Sequence, residues 1–148
     1  FGGRGAGEIV QQIGYTRRYA RQGSGQLFWS WKSIASNKGG IQAELLKLYP
    51  TLALPPAMPW CGSSAPSRPT VQGVDTAQGC ALSWSAASDV RKWVIQVGSR
   101  GRWWTMYIIP GNCTRITLPA NVARTCDRIA VRPVSATGVT GTPGVLRR

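Results

Sequence analysis

The sequence contains no histidine and only five carboxylate side chains among its 148 residues. Without histidine, every catalytic triad, proton shuttle and zinc site that depends on an imidazole is excluded. Glu8 and Glu44 fall on predicted helices, whereas Asp75, Asp89 and Asp127 fall in turn-like surroundings. No pair of carboxylates is therefore expected to face a glycoside from two sides. We predict no catalytic residue, no cofactor and no bound metal in this chain.

Two further absences narrow the class of protein. No run of about eighteen apolar residues is present, so no membrane-spanning helix is predicted. The four cysteines form no CxxC pair, and their spacing matches no zinc motif. The glycine-rich stretch FGGRGAGE at residues 1–8 is not a phosphate loop, because the Gly-Lys-Ser/Thr ending is missing and no strand precedes it.

Positive charge is abundant, with 18 Lys and Arg against 5 Asp and Glu and a net charge of +13. Residues 1–60 hold seven basic and two acidic side chains, and residues 61–148 hold eleven and three. The surplus is thus spread along the chain, and even YTRRYAR at residues 15–21 is best interpreted as a solvated helix face. A spread basic surface attracts any polyanion weakly and in a salt-sensitive way. No specific nucleic-acid partner is predicted.

Up to Pro59 the pattern predicts helix, strand and helix. In residues 7–21, Ile9, Val10 and Ile13 form an apolar stripe at helical spacing. The stretch QLFWSWKSI at residues 26–34 is predicted to be a strand, and residues 41–50 a second helix ended by Pro50. A single strand without a sheet partner leaves its backbone unpaired, so we expect residues 1–60 to pack on protein outside this segment.

Three segments of this first part, EIVQQIGYTRR, GQLFWSWKSI and LLKLYPTLALPPAMPW, resemble the end of a bacterial glycosyl-hydrolase-like TIM-barrel family. The resemblance covers residues 1–60 and implies an αβα remnant of a (β/α)8 barrel. Because such barrels typically need about 250 residues, the catalytic acids of the parent protein would lie upstream. The partner of residues 1–60 would then be the upstream barrel portion or another protein chain.

The same resemblance implies a carbohydrate site at the end of the strand. In a barrel, the carboxyl end of this strand would lie at the active-site face. Trp31 would stack on a sugar ring and Lys32 would hydrogen-bond hydroxyls or a carboxylate, with Trp29 as a third candidate. The competing interpretation is that Trp29 or Trp31 packs between the barrel and its outer helices.

After a linker at residues 61–66, residues 67–148 show seven short strand-like runs separated by turn signals. ALSWSA, with Trp84 as a core residue, together with KWVIQVG and DRIAVRPVSATGVTGTPG, resembles a fibronectin type III domain over residues 67–147. The predicted fold class is α+β overall, with the barrel remnant followed by an all-β seven-stranded sandwich. Trp103 and Trp104 are adjacent on one run, so one of them should face outward.

The strand order of that resemblance suggests how the cysteines pair. Cys61 and Cys113 would lie at one end of the sandwich, and Cys80 and Cys126 at the other. Because a disulfide needs Cα atoms within about 7 Å, pairs across the length of a strand are excluded. We predict the disulfides Cys61–Cys113 and Cys80–Cys126; four reduced cysteines in a cytosolic protein are the alternative.

Two functions fit these observations. The first is the C-terminal, itself non-catalytic region of a secreted, periplasmic or cell-surface carbohydrate-active protein, with the β-rich part as an accessory domain. Its ligand would be a polysaccharide or a peptidoglycan-like polymer. The second is a non-enzymatic adhesion or scaffold component of a larger surface assembly. The residues that would distinguish the two lie outside this sequence, and fold resemblance alone does not establish activity.

Overall fold

The computed structural model describes residues 5–19, 31–85 and 87–148. The chain divides into two compact units, Phe1–Thr51 and Leu52–Arg148. In the described ranges, no helix has the length and hydropathy needed to cross a bilayer. The domain limits predicted from the sequence, residues 1–60, 61–66 and 67–148, stay a prediction.

The described part of the first unit is helical. Helix α1 spans Ala6–Tyr19, α2 spans Trp31–Ala35 and α3 spans Ile41–Leu48, with a short 3₁₀ turn at Lys38–Gly40 before α3. Both predicted helices are therefore confirmed within the described residues. Ile13 of α1 is 1% exposed and Ile41 of α3 is 3% exposed, so these two side chains form the buried centre of the unit.

The predicted strand at residues 26–34 is wrong over the part that the structure describes. Trp31 begins helix α2, and the helical turn continues as the Ser36 N–H donates to the Lys32 carbonyl at 3.0 Å. Alternating aromatic residues over three positions favour a strand only when a second strand is at hand. A helix satisfies its own backbone groups, whereas a lone strand does not. Residues 26–30 lie outside the described residues.

The described residues of the second unit form seven strands. Their limits are β1 Val71–Thr76, β2 Gly79–Trp84, β3 Lys92–Ser99, β4 Arg102–Pro110, β5 Arg115–Pro119, β6 Arg128–Val134 and β7 Gly144–Arg147. One sheet has the order β1-β2-β5 and the other β4-β3-β6-β7, and every pairing is antiparallel. A four-residue helix, α4 (Ala120–Ala123), separates β5 from β6.

The predicted fold class is therefore wrong. The described chain is mostly β, with two antiparallel sheets and only a few short helices, and not an αβα barrel remnant joined to a seven-stranded sandwich. The positions of the seven strand-like runs match the strands because turn residues separate one run from the next. The barrel remnant fails at residues 31–35, where helix α2 stands in place of the expected strand, and the strands of the second unit form separate sheets of three and four strands.

The core of the second unit is shared by both sheets. Trp84 of β2 and Trp93 of β3 meet edge to face, with ring centroids 5.8 Å apart and planes at 65°. Trp84 is 6% exposed, which confirms it as a core residue, and Trp93 is fully buried. Aromatic pairs of this geometry contribute more than the burial of their area alone. The two inner faces are thus fixed relative to one another.

The segment before β1 packs on the turn after β6. The Met58 N–H donates to the Thr137 carbonyl at 2.8 Å, and the Thr137 hydroxyl donates to the Gly62 carbonyl at 2.7 Å. Gly138 adopts a φ of 79°, and a Cβ there would lie 3.1 Å from the Ala57 Cα atom. The segment that contains Ala57, Met58 and Gly62 therefore packs as part of the second unit.

Candidate functional site

The β4-β3-β6-β7 sheet has an inner and an outer face that follow from the alternation of β3. Trp93, Ile95 and Val97 point into the core, so Val94, Gln96 and Gly98 point outward. A register shift between Ile95 and Gln96 keeps the alternation of β4 matched to β3. We call the outward set of paired residues the outer face: Lys92, Val94, Gln96, Gly98, Trp103, Thr105, Ile108, Pro110, Arg128, Ala130, Arg132, Val134, Val145 and Arg147.

Three residues form a row across one end of the outer face. Gly98 pairs with Trp103 on one side and with Arg128 on the other. A Cβ on Gly98 would lie 3.2 Å from three atoms of the Trp103 ring, so the indole rests against the bare backbone of Gly98. The guanidinium carbon of Arg128 lies 5.3 Å from the ring centroid, within cation–π range. Trp103 remains 40% exposed in this position.

The charge of the outer face has one sign. Its strand residues include Lys92, Arg128, Arg132 and Arg147 and no carboxylate. Two of the arginines are held in place, since Arg128 Nε donates to Asp127 Oδ1 at 3.1 Å and Arg132 Nη1 donates to the Gly141 carbonyl at 3.2 Å. Because fixed guanidinium groups lose little freedom when they bind a planar anion, this face is suited to carboxylate groups.

A second cluster surrounds two cysteines of the same unit. Cys80 and Cys126 line one cavity of about 440 Å³ together with Asp75, Arg148 and Gly73. Cys80 is 1% exposed and Cys126 is 9% exposed. All four cysteines of the chain carry free thiols in the structure, and both predicted disulfides stay predictions.

Arg148 closes this cavity. Its Nη1 atom contacts Cys126 Sγ at 3.8 Å and also donates to the Ala123 carbonyl, while Nη2 forms an ion pair with Asp75. The Arg148 backbone N–H donates to the Asp127 carbonyl at 2.9 Å. One side chain therefore fastens β1, α4 and the residues before β6 around the two thiols.

The surroundings of the thiols shift two pKa values. Burial raises the pKa of Cys80 above its ordinary value of 9.0, and the positive charge of Arg148 only partly opposes this. Burial works against the charge of Arg148, but its hydrogen bond to Cys126 and the charges of Cys80 and Asp75 outweigh that cost, so the Arg148 pKa is raised. Cys80 thus keeps its proton, and Arg148 keeps its charge, at neutral pH.

The other two cysteines lie elsewhere. Cys61 ends the exposed 3₁₀ turn Pro59–Cys61, and Cys113 is half-buried after β4, where its N–H donates to the Pro110 carbonyl at 3.1 Å. No contact connects the two among those described.

The predicted carbohydrate residues of the first unit are only partly described. Trp31 is 72% exposed at the start of α2, and Lys32 follows it in the same helix. Trp29 lies outside the described residues. The role of all three stays a prediction, although the barrel strand that suggested it is not present from Trp31 onward.

Sequence reasoning missed the row of Trp103, Gly98 and Arg128. The signal for it was a glycine inside a strand, which often marks the close approach of another group. Gly98 faces the adjacent tryptophans across the tight turn between β3 and β4, so the pairing follows once the hairpin register is known. Arg128 is found only when β6 is placed beside β3, which the local pattern does not reveal.

Comparisons with known proteins add little. No family model matches the sequence, and no curated protein matches it. Among six solved chains that match is a pectate lyase from Erwinia chrysanthemi, 14% identical, with a TM-score of 0.44. The match covers 53% of this chain and 27% of the lyase chain. At this level it carries no inference about fold or function, and neither the barrel nor the fibronectin type III resemblance is confirmed.

Proposed function

We propose that this chain is a non-catalytic carbohydrate-binding region of a larger secreted, periplasmic or surface protein, and that its outer face binds an anionic polysaccharide. The observation that carries the proposal is the row of Trp103, Gly98 and Arg128. A flat aromatic surface beside fixed guanidinium groups suits a polymer that alternates apolar sugar faces with acidic groups.

Each part of the row has a separate task. The indole of Trp103 offers an apolar surface whose position is set by Gly98. Arg128 and Arg132 are oriented by their own hydrogen bonds and can receive carboxylates in a bidentate manner. Arg147, which pairs with Arg128, extends the positive charge to the next strand.

A polysaccharide is favoured over a nucleic acid by the number of aromatic rings. Proteins that hold single-stranded nucleic acid stack successive bases on several aromatic side chains. Among the strand residues of the outer face, Trp103 is the sole aromatic. Trp104 lies on the opposite side of β4, where its partner is the inward Val97. One ring among several guanidinium groups fits repeated carboxylates better than repeated bases.

The engagement of the aspartates supports a binding role over hydrolysis. Asp75 is paired with Arg148, and Asp127 accepts hydrogen bonds from Arg128 and from the Arg100 N–H. Both carboxylates are thus engaged by groups of the chain itself rather than left to face a substrate. These aspartates therefore stabilise the fold of the second unit.

The test compares Trp103→Ala with Trp104→Ala. The two residues are neighbours on β4, are similarly exposed at 40% and 47%, and face opposite sides. Alginate should bind the wild-type chain, and Trp103→Ala should weaken that binding by roughly 1–3 kcal/mol, a scale borrowed from base stacking. Trp104→Ala should leave it unchanged.

Two further polymers define the class of ligand. Neutral dextran should bind much more weakly than alginate, because it lacks the carboxylates that the arginines receive. Single-stranded polyuridylate should bind only through general charge attraction, which disappears at moderate salt. Equal loss of alginate binding in both tryptophan variants, or tighter binding of polyuridylate than of alginate at moderate salt, would contradict the proposal.

A further inference from the structure

We infer that Cys80 and Cys126 form a thiol–disulfide exchange site, in which Cys126 is the attacking sulfur, Cys80 is the resolving sulfur and Arg148 is a positioning residue. The co-reactant is a low-molecular-weight disulfide of the glutathione class. This inference does not depend on the carbohydrate-binding proposal, since the outer face includes neither cysteine.

The topology brings the two sulfurs to one cavity. Cys80 lies near the start of β2 with its side chain inward, and Cys126 lies between α4 and β6. Helix α4 packs against β2, so residues separated by 46 positions (126 minus 80) line the same space. Gly73 keeps that space open, because a Cβ there would lie 3.3 Å from Cys80 Sγ.

The surroundings of the two thiols are unequal, and this inequality assigns their roles. Cys126 is the more exposed of the two and is the one in contact with the guanidinium of Arg148. Because its sulfur is the less deeply buried of the two, an external disulfide reaches Cys126 before it can reach Cys80. Cys80 is almost fully buried, and that burial raises its pKa. Cys80 is therefore the poorer nucleophile toward the external disulfide. It is assigned the second attack, on the mixed disulfide at Cys126.

The exchange balances in two steps. Cys126 gives its proton to solvent and its thiolate attacks one sulfur of the external disulfide, which breaks that S–S bond and releases one thiolate. Cys80 then loses its proton and attacks Cys126 Sγ in the mixed disulfide, and the second external thiolate leaves. Both released thiolates are protonated, so two protein thiols are oxidised while one external disulfide is reduced to two thiols.

The position of the Arg148 guanidinium also limits access to the two sulfurs in the cavity. Its contacts to Asp75, to the Ala123 carbonyl and to Cys126 hold the guanidinium over the cavity. An exchange at Cys126 replaces the thiol that Arg148 contacts with a mixed disulfide, so the side chain has to move aside. The released guanidinium leaves Asp75 and α4 less firmly joined until the Cys80–Cys126 bond takes over that connection.

The experiment uses the full chain with Cys61→Ser and Cys113→Ser, so that only the two thiols in question remain. The reduced protein is treated with oxidised glutathione, trapped by alkylation at timed intervals and mapped by mass spectrometry. We expect a Cys80–Cys126 linked peptide and the release of two glutathione thiols per chain. Adding Cys80→Ser should stop the reaction at one glutathione adduct on Cys126.

Two further variants assign the roles. Cys126→Ser should slow adduct formation by about tenfold or more, because Cys80 is buried and lacks the contact to Arg148. Arg148→Gln should slow the first step about tenfold, and Arg148→Lys should restore part of the rate because the charge returns. The thermal midpoint of each variant is measured alongside, since a merely structural arginine would change the midpoint without a rescue of the rate by lysine.

Several outcomes would overturn the inference. These are the absence of a linked peptide, an adduct that forms first on Cys80, and a rate that Arg148→Gln leaves unchanged. If Arg148→Gln does not fold, Arg148→Lys and the two cysteine variants still decide the order of attack. If the linked peptide forms at the same rate with and without the arginine, Arg148 has no positioning role. The Cys80–Cys126 bond is then a structural disulfide.

Discussion

The indole ring of Trp103 packs against the backbone of Gly98, its neighbour across the β3–β4 hairpin. A side chain at position 98 would push the ring off the sheet, since a Cβ alone would come within 3.2 Å of three ring atoms. We expect Gly98→Val to change the near-ultraviolet circular dichroism of the tryptophans and to weaken alginate binding by roughly 1 kcal/mol. Thr105→Val, on the same face of β4, is the matched control and should change neither.

Retention of full alginate affinity in Gly98→Val, together with a changed tryptophan spectrum, would show that the ring position does not matter for binding. An unchanged spectrum would show that the ring tolerates a side chain beneath it. The first result would contradict the proposed role of Trp103 in binding, and the second would contradict the close packing of its ring on Gly98.

The two core tryptophans should respond differently to the same substitution. Trp93 Nε1 donates to the Gly111 carbonyl at 2.9 Å, whereas Trp84 Nε1 has no hydrogen-bond partner among the described residues. Trp93→Phe leaves a carbonyl unsatisfied and should lower the free energy of unfolding by about 1–3 kcal/mol more than Trp84→Phe. Urea unfolding of the two variants measures the difference. An equal loss of unfolding free energy in the two variants would contradict this difference and indicate that Trp84 Nε1 also forms a hydrogen bond.

Much of the second unit follows from local sequence, and the reason is visible in β3 and β4. Both strands are rich in β-branched and aromatic residues, and the Arg100-Gly101 turn between them has positive φ at both positions, 50° and 80°. The predicted run KWVIQVG at residues 92–98 therefore matches β3, and the run that holds Trp103 and Trp104 matches β4. Short-range pattern and turn chemistry are sufficient where a strand has a hairpin partner next to it.

The rest depends on contacts between distant residues, which local pattern does not encode. The alternating tryptophans predict a strand at Trp31, yet the described residues from Trp31 to Ala35 form helix α2. Arg148 meets Asp75 across 73 positions, and no motif announces that contact. Topological reasoning did place Cys80 and Cys126 at the same end of the second unit, and the structure lines one cavity with both.

The reduced protein should lose stability at alkaline pH through Cys80. Burial raises the folded-state pKa of this thiol above 9.0, so the folded protein retains a proton that the unfolded chain releases. The free energy of unfolding therefore falls as the pH rises above 9.0 and continues to fall until the pH passes the raised folded-state pKa. Unfolding in urea at about pH 8 and about pH 10, under reducing conditions, measures the decline.

Two cysteine variants assign that decline to one group. Cys80→Ala should remove the Cys80 part of the decline, even if the smaller side chain lowers stability at every pH. Cys61→Ala, which alters an exposed thiol, should leave the decline as it is. A decline of unchanged size in Cys80→Ala would assign it to other groups.

Trp31 offers a direct test of the carbohydrate role predicted for the first unit. Its side chain is 72% exposed in α2, so Trp31→Ala should change the free energy of unfolding by no more than about 0.5 kcal/mol. If Trp31 and Lys32 contact sugar, the same variant weakens polysaccharide binding by roughly 1–3 kcal/mol. Leu46→Ala, 66% exposed in α3, is the matched control. Unchanged binding in Trp31→Ala would confine the sugar site to the outer face.

The two units should differ in their ability to fold alone. Leu52–Arg148 contains both sheets and a continuous core around Trp93, Ile95 and Val131. In the first unit, only Ala6, Ile13 and Ile41 are buried among the described residues, whereas Tyr19 is 74% exposed. We expect residues 52–148 to unfold cooperatively as an isolated fragment, and residues 1–51 to lack a cooperative transition, because short helices without a core are marginal in water.

Circular dichroism during heating of each fragment measures both transitions. A cooperative, monomeric transition in residues 1–51 would contradict the expectation that this unit needs a partner, and aggregation of residues 52–148 would show that its core is incomplete without the first unit.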